Sequence, residues 1–425
     1  MRLAVLSLVF VMAVCAATGQ TVSAPLAAPL AAPSTADSQP ITAADPTTAR
    51  RVQAADLIYA GAFRIPEGDR VGCDYGTGAH CFTYGGLFGL GPNGGSLYLR
   101  GHAWAGGVGE VSVPATLTLA ETATVLQDIH DPSDGVEVDP GEVNGQGPFA
   151  GLVHNDRLIV SGSTYYDADG SQTDTHGVSG LDLSRAGDFD GWYRFDPALV
   201  ANPRSIGGYM TSIPSEWQAL LGGPAFTGNC CLSIISHSSA GPAATVFDPA
   251  DVGVTDPLTG TTVLFYPLAH PLEPESTQND YFNLATQIGG VAFPAATRSV
   301  LFIGRQGTGP YCYGDGAPCG DVCDGSKGTH AYPYRHQIWA YDANDLAAVR
   351  SGLKQTWEIR PYAVWPLNEM DSSGCASISG AVYDPVANRL FIAERYGDQP
   401  IVHVYTIAHA GHALDRRLLL PALAR

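Results

Sequence analysis

The sequence predicts an all-β fold, a β-propeller of antiparallel meanders with about seven blades. Its 425 residues include 50 Gly and 30 Pro but only 15% charged residues, a composition that favours strands and turns over helices. Short apolar stretches alternate with polar residues and end in Asp-Pro, Asn or Gly, as half-buried strands do. The same plan of strands recurs along the chain, and multi-stranded repeats of about 40–50 residues are typical of propellers.

The clearest repeat lies at residues 379–407. An apolar strand ending in Asp384-Pro385 precedes a second strand at 389–393, a charged bend, and a third strand up to Ile407. A single meander cannot bury both of its faces, so the copies must pack on one another. Because the recognisable copies are widely spaced, we expect other blades to have diverged. The further copies, of which the third is divergent, lie at residues 85–113, 150–166, 231–247 and 289–305.

The two ends of the chain differ from the repeats. Residues 1–19 are predicted to be a secretory signal peptide, with Arg2 before a short apolar core that is not long enough for a confident membrane span. Cys15 would be the site of a lipid anchor, but Val14 before it fits poorly. Residues 20–51 are rich in Ala, Pro and Thr and are predicted to be a disordered linker. After this linker, the sequence predicts a propeller domain at residues 52–407 and a C-terminal tail at residues 408–425.

An apolar strand at residues 57–65 precedes the first repeat. It either closes the propeller by pairing with the C-terminal strands or is an ordinary first strand.

The charge balance limits the classes of partner. With 22 basic and 41 acidic residues, the formal net charge is −19, which disfavours nucleic-acid binding. Together with the signal peptide, it favours a secreted or periplasmic monomer without a membrane span, and the sequence argues against a lipid-anchored form. Any anionic ligand must be bound by a local cluster of basic residues.

The bends that follow the second strand of each repeat share one register. In a propeller such bends open on one face around the central channel, where binding and catalytic groups concentrate. Any one of these residues could be a plain loop residue, but the shared register favours a functional site. His176 could return over the same mouth, and Tyr209 could lie at its rim. The residues placed there by the repeat are His102, Ser163, Tyr165, Tyr166, His237, Arg305 and Arg395.

An insertion at residues 312–336 carries three cysteines and two histidines. The spacing Cys-x6-Cys-x3-Cys-x6-His of Cys312, Cys319, Cys323 and His330 suits tetrahedral structural zinc, with His336 as an alternative to His330. Disulfides are the rival prediction, because the cysteines after the signal peptide form an even set and zinc would leave an odd number.

Other cysteines and a loop of aspartates leave further alternatives open. Cys73 and Cys81 are predicted to form a local disulfide. Cys230 and Cys231 could pair with each other, or Cys375 could pair with one of them. The loop at residues 165–176 suggests calcium, but it lacks the Glu that a calcium loop needs at its twelfth position.

The repeat plan, the His, Tyr and Arg residues of the mouth, and the Cys/His insertion before residues 331–334 together resemble the secreted seven-bladed propeller polysaccharide lyases, the ulvan lyases and their relatives. The resemblance implies cleavage of a uronic-acid polysaccharide, an anionic substrate, by β-elimination. It implies a base (His102 or His176), an acid (Tyr166 or Tyr209) and a cation that neutralises the uronate (Arg305 or Arg395, with His237 as a substitute).

Two other classes of function are left open. The chain could be a non-catalytic extracellular propeller that binds glycans or proteins, or a metal-dependent hydrolase that uses the loop at residues 167–176. The sequence contains no Gly-x-Ser-x-Gly elbow and no His-Glu-x-x-His motif, so a serine hydrolase or a zincin is disfavoured.

Overall fold

In a computed structural model, strands dominate the described part of the chain, and two short α-helices lie between them. The structure describes residues 45–66, 82, 86–101, 107–138, 145–164, 167, 171–231, 238–370, 374–375, 377–394, 400–408 and 410.

The repeating unit is a four-stranded antiparallel meander, here called a blade. Strand β1 (Leu57–Arg64) comes first in the chain. Blade 1 is β2 (Gly86–Leu90), β3 (Ser96–Arg100), β4 (Val108–Ser112) and β5 (Val125–His130). Blade 2 is β6 (Gly145–His154), β7 (Arg157–Thr164), β8 (Asp174–Gly180) and β9 (Trp192–Arg194). Blade 3 is β10 (Tyr209–Ser212), β11 (Ala225–Gly228), β12 (Ala244–Phe247) and β13 (Gly260–Leu264).

Blade 4 contains an inserted hairpin between its second and third strands. It is β14 (Gln287–Ala292), β15 (Ser299–Gly307), the hairpin β16 (Cys312–Asp315) and β17 (Lys327–His330), then β18 (Tyr334–Asp342) and β19 (Ala363–Pro366). Blade 5 is β20 (Ile378–Asp384), β21 (Arg389–Glu394) and β22 (Ile401–Ile407), with β1 as its outermost strand.

Strand β1 closes the propeller. It pairs antiparallel with β22 from Leu57 opposite Ile407 to Arg64 opposite Ile401. The first strand therefore completes the last blade, which confirms the closure interpretation of residues 57–65.

The propeller fold is confirmed, but the described residues form five blades where we expected seven. The innermost strands contact one another in a closed ring, in the order β2, β6, β10, β14, β20 and back to β2. The expected number assumed short repeats. Instead, long segments outside the four-stranded meanders, such as residues 195–208, 265–286 and 308–333, lengthen several repeats, so fewer blades account for the same chain.

The core is divided among the five interfaces between blades, one apolar cluster at each. Alternation along the strands produces this division, because successive side chains point to opposite faces of a blade. In β15, Phe302 contacts the cluster shared with blade 3, whereas Leu301 and Ile303 contact the cluster shared with blade 5.

Glycines allow the innermost strands to approach one another. A Cβ on Gly290 would lie 2.6 Å from the Cβ and backbone nitrogen of Ala381, its partner in the single parallel pairing between β14 and β20. A Cβ on Gly89 would lie 3.2 Å from the carbonyl oxygen of Gly151. Gly89 and Gly290 both follow a β-bulge at the same register of their blades. The bulge and the close approach of the strands are therefore one structural feature that repeats between blades.

Two helices cover blades 3 and 4. Helix α1 (Ser215–Leu221) ends at Gly222 in the left-handed conformation, and helix α2 (Ala343–Arg350) starts where the Asp342 side chain accepts a hydrogen bond from the backbone N–H of Asn344. Trp217 of α1 and Leu346 of α2 are buried in the cluster between blades 3 and 4.

The folded domain begins before residue 52, so the linker boundary predicted at residue 51 needs correction. Arg51 forms an ion pair with Asp342 at 2.6 Å, and Asn344 Nδ2 donates to the carbonyl of Thr47 at 2.9 Å. Residues 45–51 therefore pack on blade 4. The predicted signal peptide, and the C-terminal tail apart from Ala408 and Ala410, lie outside the described residues.

Replacing Gly290 with alanine should destabilise the fold by about 1–3 kcal/mol, because the new methyl group would overlap Ala381 in the inner ring. Gly95→Ala is the matched control, since its Cβ would meet no heavy atom within 4 Å and its backbone is right-handed helical. Urea unfolding of both variants measures the difference. Equal stability of the two variants would contradict the close approach of β14 and β20.

Candidate functional site

One face of the propeller carries the bends after each second strand and the connections that lead into the next innermost strand. These segments share a face because the strands of a meander alternate in direction. We call it the mouth face. Of the predicted site residues, His102, Tyr165, Tyr166, His237 and Arg395 belong to these bends by sequence and lie outside the described residues.

His176 lies in the core and not at the mouth. It occupies β8, has no exposed surface, and packs edge-on against Phe195 and Phe247 with ring centroids 5.1 Å away in both cases. Its Nδ1 lies 3.0 Å from the hydroxyl of Thr175, and burial lowers the pKa of the imidazole to about 3. A base must touch its substrate, so this placement removes His176 from the candidates.

Tyr209 is also a core residue. Only 3% of it is exposed, and its hydroxyl donates to the carbonyl of Ala243 at 2.9 Å and accepts from the same residue's N–H at 3.1 Å. Burial raises the pKa of this phenol well above its ordinary value. Tyr209 therefore stabilises blade 3 and cannot protonate a ligand at the rim.

Arg305 lies at the mouth end of β15, as expected. It pairs in register with Gln287, the first residue of the innermost strand β14. Its guanidinium carbon lies 4.2 Å from the ring centroid of Tyr334, and 8% of the residue is exposed. The cation is thus fixed over an aromatic face at the start of the central channel.

Arg100 is the equivalent residue of blade 1, and the sequence analysis missed it. It pairs with Gly86, the first residue of β2, and the same bulge follows in both blades. Its guanidinium carbon lies 4.6 Å from the ring centroid of Phe149 in blade 2. Counting along the second strand led to His102 instead, because the equivalence of Arg100 and Arg305 appears only in the cross-strand register of the two blades.

A polar cluster lies beside Arg305, between blades 4 and 5. His336 is the cross-strand partner of Arg305, and its Nε2 accepts the backbone N–H of Ser377 at 3.1 Å. The same Nε2 lies 3.6 Å from Oε1 of Glu394, whose Oε2 lies 2.9 Å from Nε2 of His403. All three side chains are at least nine-tenths buried by residue. These buried polar residues therefore lie next to Arg305 at the interface of blades 4 and 5.

The insertion of blade 4 is held by disulfides, which corrects the zinc prediction. Cys312 pairs with Cys319, and Cys323 pairs with Cys375. The sulfur atoms expected to bind zinc are therefore used in S–S bonds, and the described residues contain no cluster of three or more potential metal ligands. Cys230 and Cys231, the two partners considered for Cys375, were therefore both wrong.

His330 and Asp321 fix the insertion from inside. Asp321 Oδ2 accepts from the Tyr334 hydroxyl at 2.6 Å and lies 2.8 Å from Nδ1 of His330, and its Oδ1 accepts the N–H of Cys323 at 2.8 Å. Burial raises the pKa of this carboxyl, but the hydrogen bonds outweigh burial and the net pKa is lowered. Tyr334 thus connects the insertion to Arg305, which lies over its ring.

The remaining cysteine and calcium predictions have mixed outcomes. Cys230 and Cys231 form the vicinal disulfide that the sequence left open. Cys73 and Cys81 lie outside the described residues. In the proposed calcium loop, Asp167 Oδ1 accepts the N–H of Ser171 at 2.7 Å, while residues 168–170 lie outside the described residues.

Among the described residues, no helix is both long and apolar enough to span a membrane.

The sequence matches no known protein family and no curated protein at a significant level. Solved structures that the chain is similar to include a glycosyl hydrolase from Bacteroides ovatus, at 12% identity and a TM-score of 0.40 over 84% of this chain and 93% of that one. A GH43 endo-arabinanase from Bacillus licheniformis matches at 12% identity and a TM-score of 0.36 over 75% and 92%. A mannose phosphorylase from Leishmania mexicana matches at 11% and 0.33 over 84% and 90%. The propeller assignment rests on the sheet topology.

Asp321→Asn should destabilise the protein at neutral pH by about 2–3 kcal/mol, because charge-assisted hydrogen bonds are lost. A carboxyl whose pKa is lowered in the folded state stabilises the fold at pH values above its ordinary pKa. This contribution is lost as the pH falls through the pKa of the folded state. The difference from wild type should therefore narrow as the pH falls below about 4. Asp315→Asn, an exposed carboxyl of the same insertion, is the control for urea unfolding. A difference that stays constant down to pH 3 would contradict this role of Asp321.

Proposed function

We propose that the protein cleaves an acidic, uronate-containing polysaccharide on the mouth face by β-elimination. The observation that carries this proposal is the pair Arg100 and Arg305. They occupy the same position of two blades, and each is fixed over an aromatic ring. In a chain with a net charge of −19, buried cations placed on one face are suited to a ligand with several carboxylates.

Arginine suits this task because its planar fork can bind a carboxylate through two parallel hydrogen bonds. In β-elimination, neutralising the uronate carboxylate acidifies the proton at C5. A base removes that proton, the C4–O4 bond breaks as the C4=C5 double bond forms, and an acid protonates the departing oxygen. Arg305 takes the neutralising role in this proposal, and Arg100 binds a neighbouring sugar unit.

The proton-transfer groups come from the bends of the mouth. His102 is proposed as the base and Tyr166 as the acid, with Arg395 as a further cation and His237 as its substitute. His176 and Tyr209 are excluded because they belong to the packing inside the blades: the His176 ring packs against Phe195 and Phe247, and the Tyr209 hydroxyl donates to Ala243. His336 serves as a positioning residue, since its Nε2 already accepts a backbone N–H.

The disulfides support an extracellular or periplasmic site of action. The described residues contain three of them, and such bonds persist in oxidising compartments. In such a compartment the protein would encounter a polymer that is too large to enter a cell.

A non-catalytic glycan-binding propeller is the second candidate. The histidines of the mouth that the structure describes favour this candidate. The ring nitrogens of His330 and the Nε2 of His336 already contact protein acceptors or donors, so they are not placed to act as the catalytic base. Such a protein would use the same arginines to bind the polymer without cleaving it.

The test is incubation with a panel of uronate polymers, with near-ultraviolet absorbance as the measurement, since β-elimination leaves an unsaturated uronate that absorbs there. Arg305→Lys keeps the charge but loses the fork, so kcat/KM should fall about 10–100-fold. Arg185→Lys is the matched control, because Arg185 is an exposed residue whose side chain is 71% accessible. It should keep the full rate.

Each result of the panel decides between the candidates. Chromophore release that depends on Arg305 supports the lyase. Retention of a polymer without any chromophore would replace it with the binding protein. Equal rates for the Arg305 and Arg185 variants would remove Arg305 from the reaction.

A further inference from the structure

A second pocket lies on the mouth face above blade 3, away from the two stacked arginines. Its volume is about 310 Å³, at the lower end of the range of small-molecule sites. The connection between β9 and β10, the described residues of the bend between β11 and β12, and the connection between β13 and β14 all contribute to its walls. The lining residues that matter below are Arg204, Cys231, Ser238, Phe265, Glu275 and Phe282.

Arg204 is built into this pocket. Asn202 Oδ1 accepts the backbone N–H of Arg204 at 3.0 Å, and Asn229 Nδ2 donates to its carbonyl at 3.1 Å. The guanidinium donates from Nη1 to the carbonyl of Asp167 at 3.2 Å, and its Nε lies 3.9 Å from the carboxylate of the same residue. Among the described residues, no hydrogen bond or ion pair engages Nη2, and a quarter of the side chain is accessible. Arg204 is thus held in place with one nitrogen available to a ligand.

The other walls divide into apolar and polar parts. Phe265, Phe282 and the vicinal disulfide at Cys231 provide apolar surface, while the hydroxyl of Ser238 and the carboxylate of Glu275 provide polar groups. Sites that combine apolar walls with a few fixed polar groups are typical for small ligands that have both kinds of surface. A pyranose ring has apolar C–H faces and a polar rim, so it fits this combination.

We propose that this pocket is a subsite for one uronate residue, with the sugar carboxylate on Arg204 and the sugar hydroxyls toward Glu275. The choice of ligand rests on the proposed function, because the polymer that reaches Arg305 would also cross blade 3. The opposite charges of Arg204 and Glu275 make the pocket selective for sugars with a single carboxylate. A sugar with a single carboxylate binds with that group on Arg204, and a sugar with a second anionic group is repelled by Glu275.

Binding of methyl β-D-glucuronoside, with methyl β-D-glucoside as the neutral probe, tests the subsite by saturation-transfer NMR. Arg204→Gln should weaken the glucuronoside by about tenfold or more and leave the glucoside unchanged. Glu275→Gln should have the opposite sign and tighten the glucuronoside about two- to fivefold, because a nearby negative charge is removed. A loss of folding cannot produce opposite signs, and Arg185→Gln is the control for net charge.

Three results would overturn the subsite: no binding of the glucuronoside to the wild type, binding that is insensitive to Arg204→Gln, or weakening by both variants. Its failure can be told apart from failure of the lyase. If the polymer is cleaved but the affinity for the glucuronoside is unchanged by Arg204→Gln, the subsite alone is wrong. If no polymer is cleaved while binding depends on Arg204 and Glu275 as stated, the lyase is wrong and the subsite stands.

Discussion

The close approach of the innermost strands is the constraint on which the rest of the structure depends. Glycines at the bulges remove the Cβ atoms that would otherwise keep neighbouring strands apart, as Gly290 does against Ala381. The ring then closes with five innermost strands, and each interface between blades buries one apolar cluster. Because the bulge recurs at the same register, it also sets which residue of each second strand reaches the mouth. Arg100 and Arg305 are placed by the backbone geometry that closes the ring.

The mouth combines rigid cations with covalent support. The inserted hairpin is tied to the connection between blades 4 and 5 by the disulfide of Cys323 and Cys375, and Asp321 joins it to Tyr334. Tyr334 in turn lies under Arg305. A cation that is stacked and supported in this way would lose little further side-chain entropy on binding a carboxylate, so it suits the role proposed for it. The same logic applies to Arg204, which the backbone of Asp167 and the side chain of Asn202 hold.

The sequence predicted those features that depend on local patterns. Alternation and turn residues identified the meanders, and the position of residues 57–65 before the first repeat identified the closing strand. Features that depend on distance in space were missed. The number of blades was wrong because the length of a connection does not reveal whether it holds strands. His176 was placed at the mouth by its loop, but β8 begins at Asp174 and buries it. The zinc prediction failed because cysteine spacing cannot tell which sulfurs meet, and Cys375 lies 52 residues from its partner.

The central claim is that one face of the ring, the mouth face, binds an acidic glycan through Arg100 and Arg305. A crystal structure of the protein with a uronate oligosaccharide tests it most directly. We expect a sugar carboxylate within hydrogen-bond distance of the Arg305 guanidinium. The opposite end of the channel offers a competing cavity of about 430 Å³, lined by residues such as Met210, Phe293 and Asp384. An oligosaccharide bound in that cavity, with Arg100 and Arg305 untouched, would contradict the account.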